Sequence, residues 1–196
     1  MIQLGTYDGT LYNARYVVDR IGHLCDYILF DSAWVGYEQF IPMLKDSSPL
    51  LLDLQPGDPG IFVVQSVHKQ QAGFSQTSQI HKKDSHIHEQ DRYVNHKTIN
   101  NAFMEQATTS PFYPLFASLD VNAKIHAGDA GRKMWRDCVK LGIDARKDIL
   151  RRCHYIRPFV APMVHDRRWQ RGDTESMADD IDYFTFEPGA KWHAFE

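Results

Sequence analysis

The sequence predicts an α/β domain, in which helices and buried strands alternate along the chain and pack in layers. Two apolar runs, residues 27–30 and 61–64, lack the polar alternation of a half-exposed strand and suit strands covered on both faces. Helical patterns precede the first run and follow the second. With 196 residues, the chain is long enough to form one domain with a hydrophobic core.

The first predicted helix spans residues 13–21. Val17, Val18 and Ile21 follow the three-to-four residue spacing of a helix that buries one face. Asn13 is a suitable N-cap, and Gly22 is a suitable residue to end the helix.

Each predicted strand ends on polar residues. The run 27–30 stops at Asp31, and the run 61–64, which follows a stretch rich in Pro and Gly, stops at Gln65 and Ser66. In open α/β sheets, ligands bind beyond the carboxyl ends of the strands. A ligand site is therefore expected where these two strands end.

Two longer helices are expected in the second half of the chain. Ser110 and Pro111 match an N-cap followed by proline at the first helical position, and Gly128 would close this helix after residue 127. A second helix is expected over residues 132–153, with its apolar residues mostly on one face.

The pattern changes near residue 157. Residues 159–161 and 163–164 are predicted to be extended, residues 166–182 to form a polar loop, and residues 184–186 to form a further strand.

Composition excludes several classes of function. The formal net charge of −3 does not favour nucleic-acid binding, and no apolar run is long enough to predict a membrane-spanning helix. Cys25, Cys138 and Cys153 form no Cys-x-x-Cys pair, which disfavours a disulfide framework or a cysteine zinc site. A cytoplasmic location is expected, with no nucleic-acid and no membrane partner.

The polar residues at the strand ends fit the requirements of pyridoxal 5'-phosphate (PLP). This cofactor needs a lysine amine, a carboxylate beside its pyridine nitrogen, donors for its phosphate and a small residue under its ring. Lys69 can supply the amine, Asp31 the carboxylate, Ser66 a donor for the phosphate and Ala33 the small residue. Asp31 and Ala33 would point the same way if their segment is extended. Each also has a simpler interpretation, because an aspartate at a strand end often serves a turn and a His-Lys pair often lies in a solvated loop.

Four segments carry a family resemblance. Residues 30–40 (FDSAWVGYEQF) resemble the pyridine-nitrogen motif of the bacterial ornithine, lysine and arginine decarboxylases, and residues 65–81 (QSVHKQQAGFSQTSQIH) resemble their lysine motif. Residues 108–114 (TTSPFYP) and 186–193 (FEPGAKWH) are similar as well, so the resemblance runs over essentially the whole chain. Val67 and the neighbouring Gln-Gln-Ala-Gly resemble the ornithine branch, as does Gly-Tyr-Glu-Gln after Val35.

The resemblance implies roles for the residues around the cofactor ring. Lys69 would form the Schiff base with PLP, and Asp31 would pair with the pyridinium nitrogen. Ala33 would pack under the ring, and Trp34 would lie near the ring hydroxyl. Asp31 and Lys69, together with His68, are thus the expected catalytic residues.

The resemblance also implies contacts with the phosphate and the reacting carbon. Ser66 and His68 would sit near these groups, and His68 or Lys69 would return a proton to the α-carbon. Thr108 would contact the phosphate in a neighbouring subunit, since sites of this fold lie at subunit interfaces.

The implied activity is that of a PLP-dependent carboxy-lyase. The expected substrate is L-ornithine, converted to putrescine and CO2 in polyamine biosynthesis or acid response; lysine and arginine stay open as substrates, as does a non-catalytic assembly role. The implied fold is the large domain of the PLP-dependent transferases (aspartate aminotransferase-like, fold type I), over residues 1–156, with residues 157–196 starting the C-terminal region. Family members are longer, so the chain is expected to be a fragment, inactive by itself, of a homodimer or higher homo-oligomer.

A metal site is the main alternative by chemistry. His81, His86, His88 and His96 lie within one polar stretch, but no carboxylate or cysteine arrangement completes a zinc-like set. Their surroundings, including residues 82–84 and 89–92, suggest a solvated loop. No metal is therefore expected.

Overall fold

The computed structural model describes residues 1–185 and the backbone of one further strand, Trp192–Ala194. Short 3-10 turns connect many of the elements. In chain order, the strands are β1 (Ile2–Gln3), β2 (Thr10–Tyr12), β3 (Tyr27–Asp31), β4 (Gly60–Gln65), β5 (Gln79–Lys83), β6 (Met163–Val164), β7 (Arg167–Arg168) and β8 (Trp192–Ala194). The helices are α1 (Ala14–Ile21), α2 (Val67–Gln70), α3 (His96–Gln106), α4 (Tyr113–His126), α5 (Gly128–Arg152) and α6 (Thr174–Met177).

A four-stranded sheet with the order β1-β3-β4-β5 lies at the centre of the fold. The first three strands in this order are parallel, and β5 runs antiparallel to β4. Strand β2 pairs with β8, and β6 pairs with β7, both antiparallel. The predicted α/β class with a mostly parallel sheet flanked by helices is confirmed.

The two apolar runs form strands, as predicted, and the structure places them next to each other in the sheet. One face of the pair is fully buried and carries Ile28, Phe30, Ile61 and Val63, each at most 2% exposed. Burying a side chain of this size contributes about 1.5–3 kcal/mol, and these four residues belong to the core cluster. The alternate residues of both strands are half-buried, so coverage of the second face is less complete than the sequence pattern indicated.

The first helix begins and ends as predicted. The Asn13 side chain accepts a hydrogen bond from the backbone N–H of Tyr16 at 2.8 Å, which satisfies one of the free N–H groups of the first turn. Helix α1 stops at Ile21, and Gly22 starts a short 3-10 turn.

The predicted start of α4 is wrong by two residues. The helix begins at Tyr113 with Phe112 at the N-cap, so Pro114, and not Pro111, occupies its first turn. Both prolines suit this position because the first N–H groups of a helix have no intrahelical partner. Gly128 follows α4 closely, but it also starts α5, which therefore begins four residues earlier than predicted.

The stretch beyond residue 157 differs from the prediction. Residues 159–161 form no strand, whereas β6 forms and pairs with β7. Residues 166–182 are not a loop, because they include a 3-10 turn and α6. Trp169 is 1% exposed and Met177 is 0% exposed, so two apolar side chains of this stretch are buried. Phe184 lies in a 3-10 turn, and Phe186 lies outside the described residues. The domain boundary at residue 157 stays a prediction.

The solvated loop predicted over residues 82–84 is also wrong. Lys82 and Lys83 belong to β5, and Asp84 is buried beside the Lys82 ammonium group. The Lys83 Nζ donates to the backbone carbonyls of Leu50 and Leu52 at 2.8 and 2.5 Å. A strand can therefore form without alternating apolar residues when its polar side chains have such partners.

Among the described helices, none combines the length and the apolar character that crossing a membrane requires.

Candidate cofactor site

The two predicted strand ends meet at one edge of the sheet. Strands β3 and β4 pair in parallel with Asp31 opposite Val64, so both carboxyl ends face the same way. Helix α2 follows β4 directly and places Lys69 four residues beyond the strand. The Lys69 Nζ lies 4.2 Å from the centroid of the Trp34 ring. This contact joins the segment after β3 to the segment after β4.

The Asp31 carboxylate is half-buried and partly free. Its Oδ1 accepts a hydrogen bond from the backbone N–H of Ala33 at 3.0 Å, whereas its Oδ2 makes no hydrogen bond to the described residues. The backbone N–H of Val35 donates to the Ser32 carbonyl at 3.2 Å, so the chain turns immediately after β3. The extended geometry expected for Asp31 and Ala33 is therefore wrong, because the aspartate side chain itself closes the turn.

Among residues 1–185, Lys69 differs from most lysines in having no anionic or carbonyl partner. The lysines that hold a carboxylate or a backbone carbonyl are Lys82, Lys83, Lys124, Lys133, Lys140 and Lys147. Among residues 1–185, Lys45 and Lys97 resemble Lys69 in lacking such a partner, but neither contacts an aromatic ring. The Lys69 amine is exposed and accessible to a reactive carbonyl group.

The residues beside Lys69 present further polar atoms. The His68 Nδ1 lies 2.8 Å from the Thr77 carbonyl oxygen. A carbonyl can only accept, so Nδ1 carries a proton and Nε2 stays available for another partner. The Ser66 hydroxyl is half-buried and makes no hydrogen bond to the part of the chain that the structure describes.

Thr108 is not brought to this cluster. It is exposed in the segment between α3 and α4, and it makes no hydrogen bond with the residues around Lys69. Its predicted role in a neighbouring subunit stays a prediction.

Sequence reasoning missed a cluster of four polar side chains that are buried or half-buried next to the candidate cofactor residues. Ser32, Glu38 and Gln65 are each 0% exposed, and Gln71 is half-buried beside Gly36. Each of these four side chains has one buried polar atom without a hydrogen-bond partner among the described residues: Ser32 Oγ, Glu38 Oε1, Gln65 Nε2 and Gln71 Nε2. Burial raises the pKa of Glu38 to about 7, although backbone N–H groups, including that of Gly36, act to lower it. Burial of a polar residue leaves no local sequence signal.

Trp34 and Gln70 also border a cavity of about 430 Å³. Its other walls include Tyr7, Trp135 and Arg146. The Tyr7 ring packs edge-on against Trp34, with 4.9 Å between ring centroids. Trp34 therefore contacts Lys69 and also borders this cavity, whereas Lys69, Asp31 and His68 do not line it.

The histidines considered as metal ligands do not converge. His81 lies in β5 with its Nε2 3.2 Å from Gln65 Oε1, and the His86 Nε2 approaches the Pro59 carbonyl at 3.2 Å. His88 instead packs against the Tyr93 ring, with 4.7 Å between ring centroids. Burial lowers the pKa of His81.

A different set of ligand-type groups does lie together at the surface. The ligand atoms of His165, Asp180 and Asp182 all lie within 4.8 Å of one another. A hydrogen bond of 2.8 Å joins His165 Nε2 to Asp180 Oδ2, so these two side chains already partner each other.

The comparisons with known proteins identify the family. The model of the family "Orn/Lys/Arg decarboxylase, major domain" matches residues 1–196. The chain therefore belongs to the Orn/Lys/Arg decarboxylase family, as the motif resemblance predicted.

Individual relatives give the same result. The chain is 69% identical over 196 residues to the constitutive ornithine decarboxylase of Escherichia coli K12, covering 100% of this chain and 28% of that protein. It is 32% identical over 195 residues to the constitutive lysine decarboxylase of the same organism, covering 100% of this chain and 24% of that protein. Lysine decarboxylase A from Pseudomonas aeruginosa has a similar structure, with a TM-score of 0.74 at 28% identity over 100% of this chain and 26% of that one. The chain thus spans about 28% of the length of the ornithine decarboxylase it matches.

Proposed function

We propose that this chain carries the PLP-binding lysine of an L-ornithine decarboxylase, which releases CO2 and forms putrescine. The observation that supports the proposal most directly is the contact between Lys69 and Trp34, because it joins the two strand ends that carry the proposed cofactor residues. The enzyme is further proposed to act in the cytoplasm as a homodimer or higher homo-oligomer.

The polar groups at the site fit PLP by their chemistry. Lys69 offers an amine without an ion-pair partner, and Asp31 offers a carboxylate oxygen without a hydrogen bond among residues 1–185. Ser66 offers a hydroxyl group, and Ala33 is small enough to lie under a flat ring. When bound, PLP supplies an electron-withdrawing ring that takes up the electron pair left behind as the substrate carboxylate departs.

The residues of this chain would prepare the site for that chemistry. Asp31 would hold a proton on the pyridine nitrogen, because a carboxylate next to this atom favours its charged form. Trp34 would restrict the movement of the Lys69 amine through its ring face. His68 would hold or donate a proton at Nε2, since Nδ1 is engaged by the Thr77 carbonyl.

The preference for ornithine is supported by the difference between relatives. Identity is 69% to an ornithine decarboxylase and 32% to a lysine decarboxylase over nearly the same residues. A single methylene contributes only about 1–3 kcal/mol to discrimination between two substrates, so the substrate itself requires a direct measurement.

The test uses the full-length protein that contains this chain. After incubation with PLP and reduction with borohydride, mass spectrometry is expected to find the cofactor on Lys69. The Lys69→Ala variant should lose both the label and ornithine decarboxylation, whereas Lys97→Ala, which removes an exposed lysine elsewhere, should keep both. Asp31→Ala should lower turnover much more than cofactor binding, because its proposed partner is the ring nitrogen.

Three results would contradict the proposal. Labelling of another lysine would reject Lys69, and equal turnover by the Asp31→Ala variant and the parent would reject the role of Asp31. Faster decarboxylation of lysine or arginine than of ornithine would reject the substrate.

A further inference from the structure

The buried face of helix α4 is polar. Ser118, Asn122 and His126 are spaced by four residues and therefore share one face, and each is at most 5% exposed. Apolar residues of the same helix lie outside, including Phe116 at 57% and Val121 at 52% exposure. An amphipathic helix usually buries its apolar stripe, so the inverted arrangement of α4 requires specific partners for the buried polar groups.

Asn122 finds its partners directly after α2. Its Oδ1 accepts a hydrogen bond from the backbone N–H of Ala72 at 2.8 Å, and its Nδ2 donates to the Gln71 Oε1 at 3.0 Å. The backbone N–H can only donate, which fixes the orientation of the amide. Both ends of the Asn122 side chain therefore hold the segment that follows Lys69.

Ser118 holds the same segment at Phe74, two residues beyond Ala72. Its hydroxyl accepts from the backbone N–H of Phe74 at 3.2 Å and donates to the Leu115 carbonyl at 2.8 Å. The Thr77 hydroxyl lies 3.4 Å from it, and Thr77 is 3% exposed. Helix α4 thus fixes residues 71–77 at two points along their length.

The Thr77 carbonyl connects this segment to His68. The Thr77 carbonyl lies 2.8 Å from the His68 Nδ1 and accepts from the His68 backbone N–H at 3.4 Å. A backbone carbonyl in this place determines which ring nitrogen bears hydrogen and how the ring is turned. The orientation of His68 therefore depends on where residues 71–77 are held.

We propose that Asn122 and Ser118 are positioning residues of the decarboxylation site. By fixing residues 71–77, they hold the Thr77 carbonyl against the His68 Nδ1 and so fix the orientation of the His68 ring, which leaves Nε2 for the reaction. This inference rests on the proposed function. Displacement of a reacting group by about 1 Å can cost about 100-fold in rate, so loss of either contact should lower kcat by about 10- to 100-fold.

The experiment compares Ser118→Ala, Asn122→Ala and Asn122→Asp in the full-length protein. Asn122→Asp keeps the acceptor for Ala72 and should retain more activity than Asn122→Ala. Asp120→Asn is the matched control, because Asp120 is an exposed residue of the same helix. Ser118→Ala removes a single oxygen atom, so we expect this variant to fold even if the Asn122 variants do not.

Three measurements separate the outcomes. Ornithine turnover should show a lower kcat with an unchanged KM in both alanine variants, and borohydride labelling of Lys69 by PLP should persist. Hydrogen exchange should accelerate at the Ala72 amide in Asn122→Ala and at the Phe74 amide in Ser118→Ala.

If the parent protein is labelled and active but both alanine variants keep its kcat, the inference is overturned. Loss of Lys69 labelling in Ser118→Ala would overturn it too, since α4 would then support the fold and not the reaction. A parent protein that is neither labelled nor active would instead reject the proposed function.

Discussion

Replacing Glu38 by glutamine should stabilise the protein at neutral and alkaline pH. Glu38 is fully buried, and its Oε2 accepts a hydrogen bond from the Gly36 backbone N–H at 2.5 Å. Glutamine has the same shape and keeps an oxygen for this bond. It removes the ability to ionise and places an NH2 group where Oε1 has no described partner, so only the pH-dependent part of its effect reports the cost of the buried charge.

The magnitude follows from the pKa of Glu38. Burial raises this pKa from 4.5 to about 7. Below pH 4.5 the carboxyl is protonated in both the folded and the unfolded protein. Between pH 4.5 and about 7 the unfolded protein loses the proton and the folded protein keeps it. The free energy of unfolding therefore falls with rising pH, by about 1.4 kcal/mol per pH unit. The total is about 3 kcal/mol, reached above pH 7.

Urea denaturation of parent and variant at about pH 4 and about pH 8 tests this reasoning. Relative to the parent, Glu38→Gln should gain about 3 kcal/mol of unfolding free energy between the lower and the higher pH. Glu105→Gln, on the exposed surface of α3, should show no such difference. Equal stability of the Glu38 variant and the parent at both pH values would refute the conclusion that Glu38 is buried and has a raised pKa.

Two further predictions concern hydrogen bonds of the scaffold. Tyr27→Phe should destabilise the fold by about 1–3 kcal/mol, because the Tyr27 hydroxyl donates to Asp84 at 2.8 Å and accepts from the Val94 N–H at 2.9 Å. Denaturation midpoints measure this, and an unchanged midpoint would contradict it. Asn13→Ala should cost about 1 kcal/mol through loss of the α1 cap, while Asn13→Asp should be nearly neutral. Similar losses in both variants would argue against capping as the cause.

Local sequence patterns predicted the elements that carry the candidate cofactor residues. Strands β3 and β4 are short apolar runs, and their ends could be located because polar residues replace the apolar ones there. The placement of Asp31 and Lys69 at one sheet edge followed from the rule that parallel strands end together. The turn at Ser32 was missed, since it depends on which backbone group the Asp31 side chain accepts from.

Other features depend on partners distant in sequence. Strand β5 carries His81 and two lysines and has no apolar alternation; its pairing with β4 and the carbonyl partners of Lys83 stabilise it. Ser118 and Asn122 resemble ordinary surface residues of a helix, because the contacts that bury them lie more than 40 residues away. Local periodicity therefore could not indicate which face of α4 is buried.

The inverted polarity of α4 has a consequence for the order of folding. Hydrophobic collapse is driven by the apolar area removed from water, and the inner face of this helix offers little of it. Besides the packing of His126 against the Phe40 ring, its attachment uses hydrogen bonds to Ala72 and Phe74, which exist only once residues 71–77 have taken their native path. We therefore expect the sheet to form first and α4 to dock late, with its contacts absent from the folding transition state. Loss of Ser118 or Asn122 would then accelerate unfolding and leave the folding rate nearly unchanged.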